Sequence, residues 1–127
     1  MNNEESREQK ALMQWAEMME QHYPQLRLLH AIPNGGKRNV ITATNMKREG
    51  VRAGVPDLDL PIARGGYIGL RIEMKSKKGV LSDNQKDWIK WLKSEGHRVE
   101  VCRSWEEGKD IIMRYMNGLE RRDKNEV

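Results

Sequence analysis

The sequence predicts an α/β fold, a mixed central sheet flanked by helices in the order α-β-α-β-β-α-β-α. Three observations predict it. Residues 4–22 repeat apolar side chains at helical spacing, residues 67–75 alternate strictly, and a capped helical pattern separates that run from a second alternating run at 97–102. A strand–helix–strand unit of that length needs a crossover, which makes its two strands parallel.

In the first helix, Leu12, Trp15, Ala16 and Met19 fall at i, i+3, i+4 and i+7. Asn3 is its expected N-cap, Glu4 and Glu5 suit the positive end of the helix dipole, and Pro24 ends the segment. Residues 26–32 (LRLLHAI) are short and apolar and read as a strand. Pro33-Asn34-Gly35-Gly36-Lys37-Arg38 is a loop that ends in two cations. Residues 40–49 read as a helix closed by Gly50. Gly54 and Pro56 turn the chain into a short strand at 57–62, and Gly65-Gly66 return it, so this strand and the next form an antiparallel hairpin. In the strand at 67–75, Ile68, Leu70, Ile72 and Met74 face one way, and Gly69, Arg71, Glu73 and Lys75 the other. Ser82 and Gln85 form a capping box, which opens a helix with Trp88, Ile89, Trp91 and Leu92 on its apolar face. Ser104 and Glu107 form a second, opening a helix that turns Ile111, Ile112, Tyr115 and Met116 inward. The reading gives one domain, residues 1–117, followed by a charged tail at 118–127 that is expected to fray.

Composition sets outer limits. A chain of 127 residues buries one modest core without disulfides. Cys102 is the single cysteine, so a disulfide framework and a thiolate zinc site within one chain are excluded, and its plain reading is a buried strand residue. His22, His30 and His97 are scattered and lack ligand spacing. No apolar run approaches the ~20 residues of a membrane span, and the polar segment from Met1 to Lys10 is not a signal peptide, so a cytoplasmic location is expected. A net charge of +4 and a pI near 9.3 suit a polyanionic partner without requiring one.

The chemistry gathers on two strands. An isolated Glu-x-Lys pair on a sheet face is ordinarily a solvated pair of little worth. Here the preceding strand begins Pro56-Asp57, where proline stiffens the chain at the point where Asp57 enters the sheet. If the hairpin pairs as expected, Asp57 lies near Glu73. Two carboxylates at one sheet end repel unless a cation joins them, and a hard divalent ion such as Mg²⁺ suits oxygen ligands. Lys75 shares the face of Glu73, placed to orient an attacking water or to offset charge on a phosphorus centre. At about 100° per residue, Glu5, Gln9, Leu12 and Ala16 share one arc of the first helix, so Glu5 either extends the apolar stripe to a metal site or sits in a solvated first turn.

Pro56-Asp57 with Glu73-Met74-Lys75 matches the motif of the PD-(D/E)xK nucleases. Glu5-x-x-x-Gln9, the loop from Pro33 to Arg38, Gly50-Val51-x-x-Gly54-Val55-Pro56-Asp57, and Leu81-Ser82-x-x-Gln85-x-x-Trp88 narrow the likeness. Together they make the chain resemble the virus-type replication-repair nuclease (VRR-NUC) family from about residue 4 to 116. One departure is Met74, where the family often has a smaller or branched apolar residue.

The resemblance implies a restriction-endonuclease-like fold. It implies Asp57 and Glu73 as metal ligands, Glu5 completing the metal site, Lys75 as the catalytic lysine, and Gln85 near that lysine and the water as well as capping Ser82. Glu8, at the edge of the helix face, and Asp59, two residues beyond Asp57, are the competing acids. Asn34, Gly35, Gly36, Lys37 and Arg38 combine free amides and cations that suit a DNA phosphate, or they form a plain turn. The resemblance further implies Mg²⁺, with Mn²⁺ able to substitute, and branched DNA as substrate, since single-domain phage members resemble Holliday-junction resolvases. One active site per chain then calls for a homodimer on geometric grounds, with Trp88 and Trp91 serving either the core or the interface. The other readings are the same chemistry on flaps, ends or duplex sites, and a non-catalytic DNA-binding module. The intact Asp57, Glu73, Lys75 set argues against the last.

Overall fold

The computed structural model describes residues 2–33 and 40–123. The elements run α1 (Asn3–Met19), a 3-10 helix (Pro24–Leu28), β1 (His30–Ala31), α2 (Val40–Arg48), β2 (Leu58–Leu60), β3 (Leu70–Met74), α3 (Asp83–Ser94), β4 (Arg98–Cys102) and α4 (Trp105–Met116). The four strands lie in sequence order. β1–β2 and β2–β3 are antiparallel, and β3–β4 is parallel through the α3 crossover. The mixed sheet with flanking helices is therefore as the sequence predicts.

Several local expectations fail. The run LRLLHAI is mostly not a strand: Pro24 starts a 3-10 helix, and only His30 and Ala31 pair. Leu26 and Leu29 are its buried residues, and a three-residue spacing is the period of a 3-10 turn, which a short apolar run conceals. The N-cap of α1 is Asn2 rather than Asn3, since Asn2 Oδ1 accepts from the Glu5 amide at 2.8 Å. Ile68 lies before β3 and is exposed.

The capping box of α3 is complete: Gln85 N–H donates to Ser82 Oγ, and Ser82 N–H to Gln85 Oε1. That of α4 is half made. Ser104 caps Glu107 N–H, but Glu107 Oε1 accepts instead from Arg103 N–H.

One face of the sheet carries the core. Leu58, Leu60, Leu70, Ile72, Met74 and Cys102 pack there against Leu12 and Ala16 of α1 and Ile111, Ile112 and Tyr115 of α4. α1 crosses α4 closely at Gly108, where a Cβ would come within 2.6 Å of Leu12 Cδ2. Burial pushes the Cys102 thiol up to about 12, aided by Glu100 and Glu107, which makes it an inert core residue. On the other face, Leu92 of α3 and Val99 of β4 are buried apart from that cluster. Trp88 is half-buried and Trp91 is 62% exposed.

Glu120 and Arg122 of the charged C-terminal segment make contacts with the domain. Arg122 N–H donates to Gly65 O, and Glu120 contacts both Arg98 and Arg114. No helix among the described residues is long and apolar enough to cross a membrane.

Candidate active site

The ladder sets out the site. Leu58 pairs with Ile72 and Asp59 with Arg71, so the next step in the register faces Asp57 toward Glu73. Residues paired across an antiparallel ladder share a face. Asp57, Asp59, Arg71 and Glu73 therefore lie opposite the apolar core face. The chain enters this face through a tight approach. At Gly54, φ is +94°, and a Cβ would meet the Asn84 carbonyl carbon at 2.6 Å. Only glycine fits, and the contact sets the first turn of α3, with Gln85, beside the start of β2.

Asp57 and Glu73 are both buried, 4% and 2% exposed. Asp57 Oδ2 accepts the Met74 amide at 2.8 Å, and its carbonyl accepts from Ile32 N–H. The Glu73 carboxyl is pushed up to about 10. Burial is the largest cause, followed by a side-chain hydrogen bond to Asp57 and the charge of Asp57; Lys75 pulls the other way, and Glu5 adds a further rise. At neutral pH the Glu73 carboxyl therefore keeps its proton beside the Asp57 carboxyl to which it is hydrogen-bonded.

Glu5 is buried at the start of α1, 9% exposed. The end of that helix is fixed beyond β3: Glu4 Oε2 accepts from Lys77 N–H at 2.8 Å, and Glu8 Oε1 from Trp105 N–H at 2.9 Å. The structure thus brings Asp57, Glu73, Lys75 and Glu5 to one strand end. It gives Glu8 a different task, holding the first residue of α4.

Asp59 is engaged two residues along. Arg71 Nε lies 3.1 Å from Asp59 Oδ1, a charge contact off the line of a hydrogen bond. His30 Nδ1 hydrogen-bonds Leu28 O, and its Nε2 stands 3.7 Å from Asp59 Oδ2, an ion pair when the imidazole is protonated. Gln85 spends its Oε1 on the cap, which leaves its amide nitrogen for other partners. Asn34, Gly35, Gly36, Lys37 and Arg38 lie outside the described residues.

The donor set fits a hard divalent cation in kind. Among the described residues, no three His, Cys, Asp or Glu side chains are already arranged to hold a metal ion. Yet the hydrogen-bonded Asp57 and Glu73 carboxyls are the pair a cation would join, and the charge of Glu5 acts on Glu73. One turn from Glu5, Gln9 Oε1 is buried with no hydrogen-bond partner among the described residues. A buried acceptor without a protein donor is an atom that a hydrated cation satisfies. Gln9 belongs to the sequence motif but was assigned no role from it; its position on the Glu5 arc is the signal that could have found it. Arg103, whose guanidinium contacts the turn after Lys75, gave no local signal.

Comparison with known proteins places the chain in a family. The family model described as the VRR-NUC domain matches residues 1–106. A solved structure named as a VRR-NUC domain protein is similar at 30% identity, with a TM-score of 0.77 and coverage of 100% of this chain and 98% of that one. Comparison with curated proteins finds no match.

Proposed function

The chain belongs to the VRR-NUC family of nucleases, and from that premise we propose that it is a metal-dependent endonuclease that hydrolyses DNA phosphodiester bonds. The observation that supports this best is the pair of buried carboxyl groups, Asp57 and Glu73, whose joint ionisation the fold opposes, with Lys75 beside them. Buried acids of one sign raise the energy of the fold unless their charge is used. Asp57, Glu73 and Glu5 would hold a Mg²⁺ ion, and Mn²⁺ in its place. Such an ion supplies Lewis-acid polarisation of a phosphate oxygen and a more acidic water. Lys75 orients the attacking water by hydrogen bonding and offsets charge that builds on the phosphate oxygens. The Gln85 amide nitrogen, left unused by the cap on the first turn of α3, would donate to the attacking water or a phosphate oxygen. Lys37 and Arg38, with the amides of Asn34, Gly35 and Gly36, hold the flanking backbone.

The preferred substrate is a branched DNA of the Holliday-junction type, cut by a homodimer. A junction is resolved by two cuts related by two-fold symmetry, and each chain carries one Asp57, Glu73, Lys75 set. Trp91, largely exposed on α3, supplies the apolar centre of an isologous contact. A cruciform extruded from a supercoiled plasmid tests this directly. Linear product in Mg²⁺, none in EDTA, and a dimeric mass by light scattering are expected. Nicked circles from a monomer would remove the resolvase reading and keep the nuclease one. Absence of cleavage on flap, fork, junction and linear DNA alike would leave a binding module.

A further inference from the structure

We propose that the turn Ser76–Gly79 is a second phosphate-binding site, with Lys77 and Lys78 as the contacts and Arg103 as the residue that positions them. It rests on the nuclease reading above and assigns that site's grip on the substrate backbone to one side of the cleavage point.

The turn follows Lys75 directly at the end of β3, and Lys77 and Lys78 are both exposed on it. An exposed turn at a strand end is ordinarily among the more mobile parts of a domain. This one is pinned. Gly79 N–H donates to Ser76 O at 3.1 Å, closing the turn. Arg103 Nη1, reaching across from the end of β4, donates to Ser76 O at 2.7 Å and Gly79 O at 2.8 Å, with Lys77 O at 3.4 Å. The Lys77 amide is held by Glu4 Oε2. Arg103 is itself anchored, its amide donating to Glu107 Oε1 at 2.9 Å.

Carbonyl oxygens carry only partial charge, so the Arg103 guanidinium orders the turn without being neutralised. The result is a rigid main chain that bears two lysine side chains, neither in an ion pair among the described residues, over a third cation. Such an arrangement suits an anion, because the ordering entropy of the backbone is lost on folding rather than on binding.

Spacing makes the anion a nucleic-acid phosphate. Lys77 and Lys78 stand two and three residues beyond Lys75, at most about 7–11 Å of chain. A strand whose scissile phosphate lies at Asp57 and Glu73 therefore passes its neighbouring phosphates within reach of both side chains. The adjoining cleft of about 300 Å³ is lined by Glu4, Glu8 and Glu106 as well as Lys77, Arg103 and Trp105. Its three carboxylates are offset by Arg7, Lys77 and Arg103, so the cleft itself has no net charge to draw a phosphate in, and the exposed Lys77 and Lys78 side chains on the solvent side of the turn supply the attraction.

The test is the salt dependence of binding to a short labelled DNA duplex, in Ca²⁺ to hold off turnover. Lys77→Ala/Lys78→Ala is expected to lower the slope of log Kd against log salt by roughly one to two. Lys10→Ala/Arg27→Ala removes the same net charge from exposed positions elsewhere and is expected to leave the slope unchanged. Arg103→Ala is expected to reproduce the slope loss with both lysines present and to speed amide hydrogen exchange across residues 76–79. A wild-type slope in the Lys77/Lys78 variant overturns the proposal, as does an equal fall in the Lys10/Arg27 control. The lysine pair is exposed, so it decides the matter even if Arg103→Ala fails to fold. Wild-type protein that neither binds nor cuts DNA would instead remove the nuclease reading itself.

Discussion

Asp57 and Asp59 leave the same strand end two residues apart, on the same face of the sheet, and their surroundings differ in one respect. Asp59 faces Arg71 across the ladder and has His30 at its other side, so its charge is answered within the chain. Asp57 faces Glu73, and the two carboxyls are buried together with a hydrogen bond between them. One rung is complete as it stands, while the other is a pair of acids whose joint ionisation the fold opposes. The rung that sets acid against acid across the ladder is the one expected to carry a cation and chemistry, and the rung that sets acid against base is expected to carry stability. This separates two aspartates that sequence spacing alone leaves equivalent.

Deleting the unbalanced rung gives the largest expected effect. Asp57→Ala and Glu73→Ala should each reduce Mg²⁺-dependent cleavage by about a thousandfold or more, on the scale of losing a principal transition-state interaction. Gel-shift affinity for the same DNA should stay within a few-fold of wild type. Substantial residual cleavage by both variants would place the chemistry elsewhere.

The same rung should set the pH dependence of stability. The Glu73 carboxyl is raised from an ordinary 4.5 to about 10, so the folded chain holds a proton that the unfolded chain releases. Its contribution is full below the unfolded value and fades as pH climbs toward the folded one. In EDTA, wild-type stability should therefore fall between about pH 5 and about pH 9, and Glu73→Gln should flatten that fall. Near pH 8 the variant should melt higher, with about 4 °C for each 1 kcal/mol gained. A flat wild-type profile would mean that the Glu73 carboxyl is not raised in the folded chain.

Asp59→Asn should do the opposite of both. It leaves the Arg71 guanidinium, only 17% exposed, without its carboxylate. Stability should drop by about 1–2 kcal/mol, between the values for exposed and buried pairs. Cleavage per folded molecule should change less than twofold. A loss comparable to that of Asp57→Ala would make Asp59 a ligand and dissolve the distinction between the rungs.

The sequence carried this comparison only in part. The hairpin, the crossover and the alternation of β3 were legible because each is local: two glycines at a turn, a capped helix, a period of two. That register placed Glu73 opposite Asp57. It placed Arg71 opposite Asp59 equally well, but the ion pair depends on side-chain reach, which spacing does not give. The strand expected at 26–32 failed because a short apolar run satisfies a strand and a 3-10 turn alike, and Pro24 decides between them by starting a helical turn. Arg103 was invisible because its partners are main-chain carbonyls 24 to 27 residues away, a contact with no sequence signature.

The finest separation is between the two acids of α1 that compete for the site. Glu5 and Glu8 are three residues apart and share a helix, yet they point at different structures. Glu5 is buried and its charge raises the Glu73 carboxyl, so it belongs to the unbalanced rung. Glu8 accepts the Trp105 amide, one of the donors that the start of α4 leaves without an intrahelical partner. The two substitutions should therefore have opposite signatures. Glu5→Gln removes a repelling charge and a candidate ligand, so cleavage should fall at least tenfold while the melting temperature holds or rises. Glu8→Ala removes a capping acceptor, so stability should fall by about 1 kcal/mol while cleavage per folded molecule stays close to wild type. Glu8→Gln keeps an acceptor oxygen and should recover most of that stability. If Glu8→Gln instead abolished cleavage with Glu5→Gln unaffected, the helix acid of the site would be Glu8, and the burial of Glu5 would have no functional meaning.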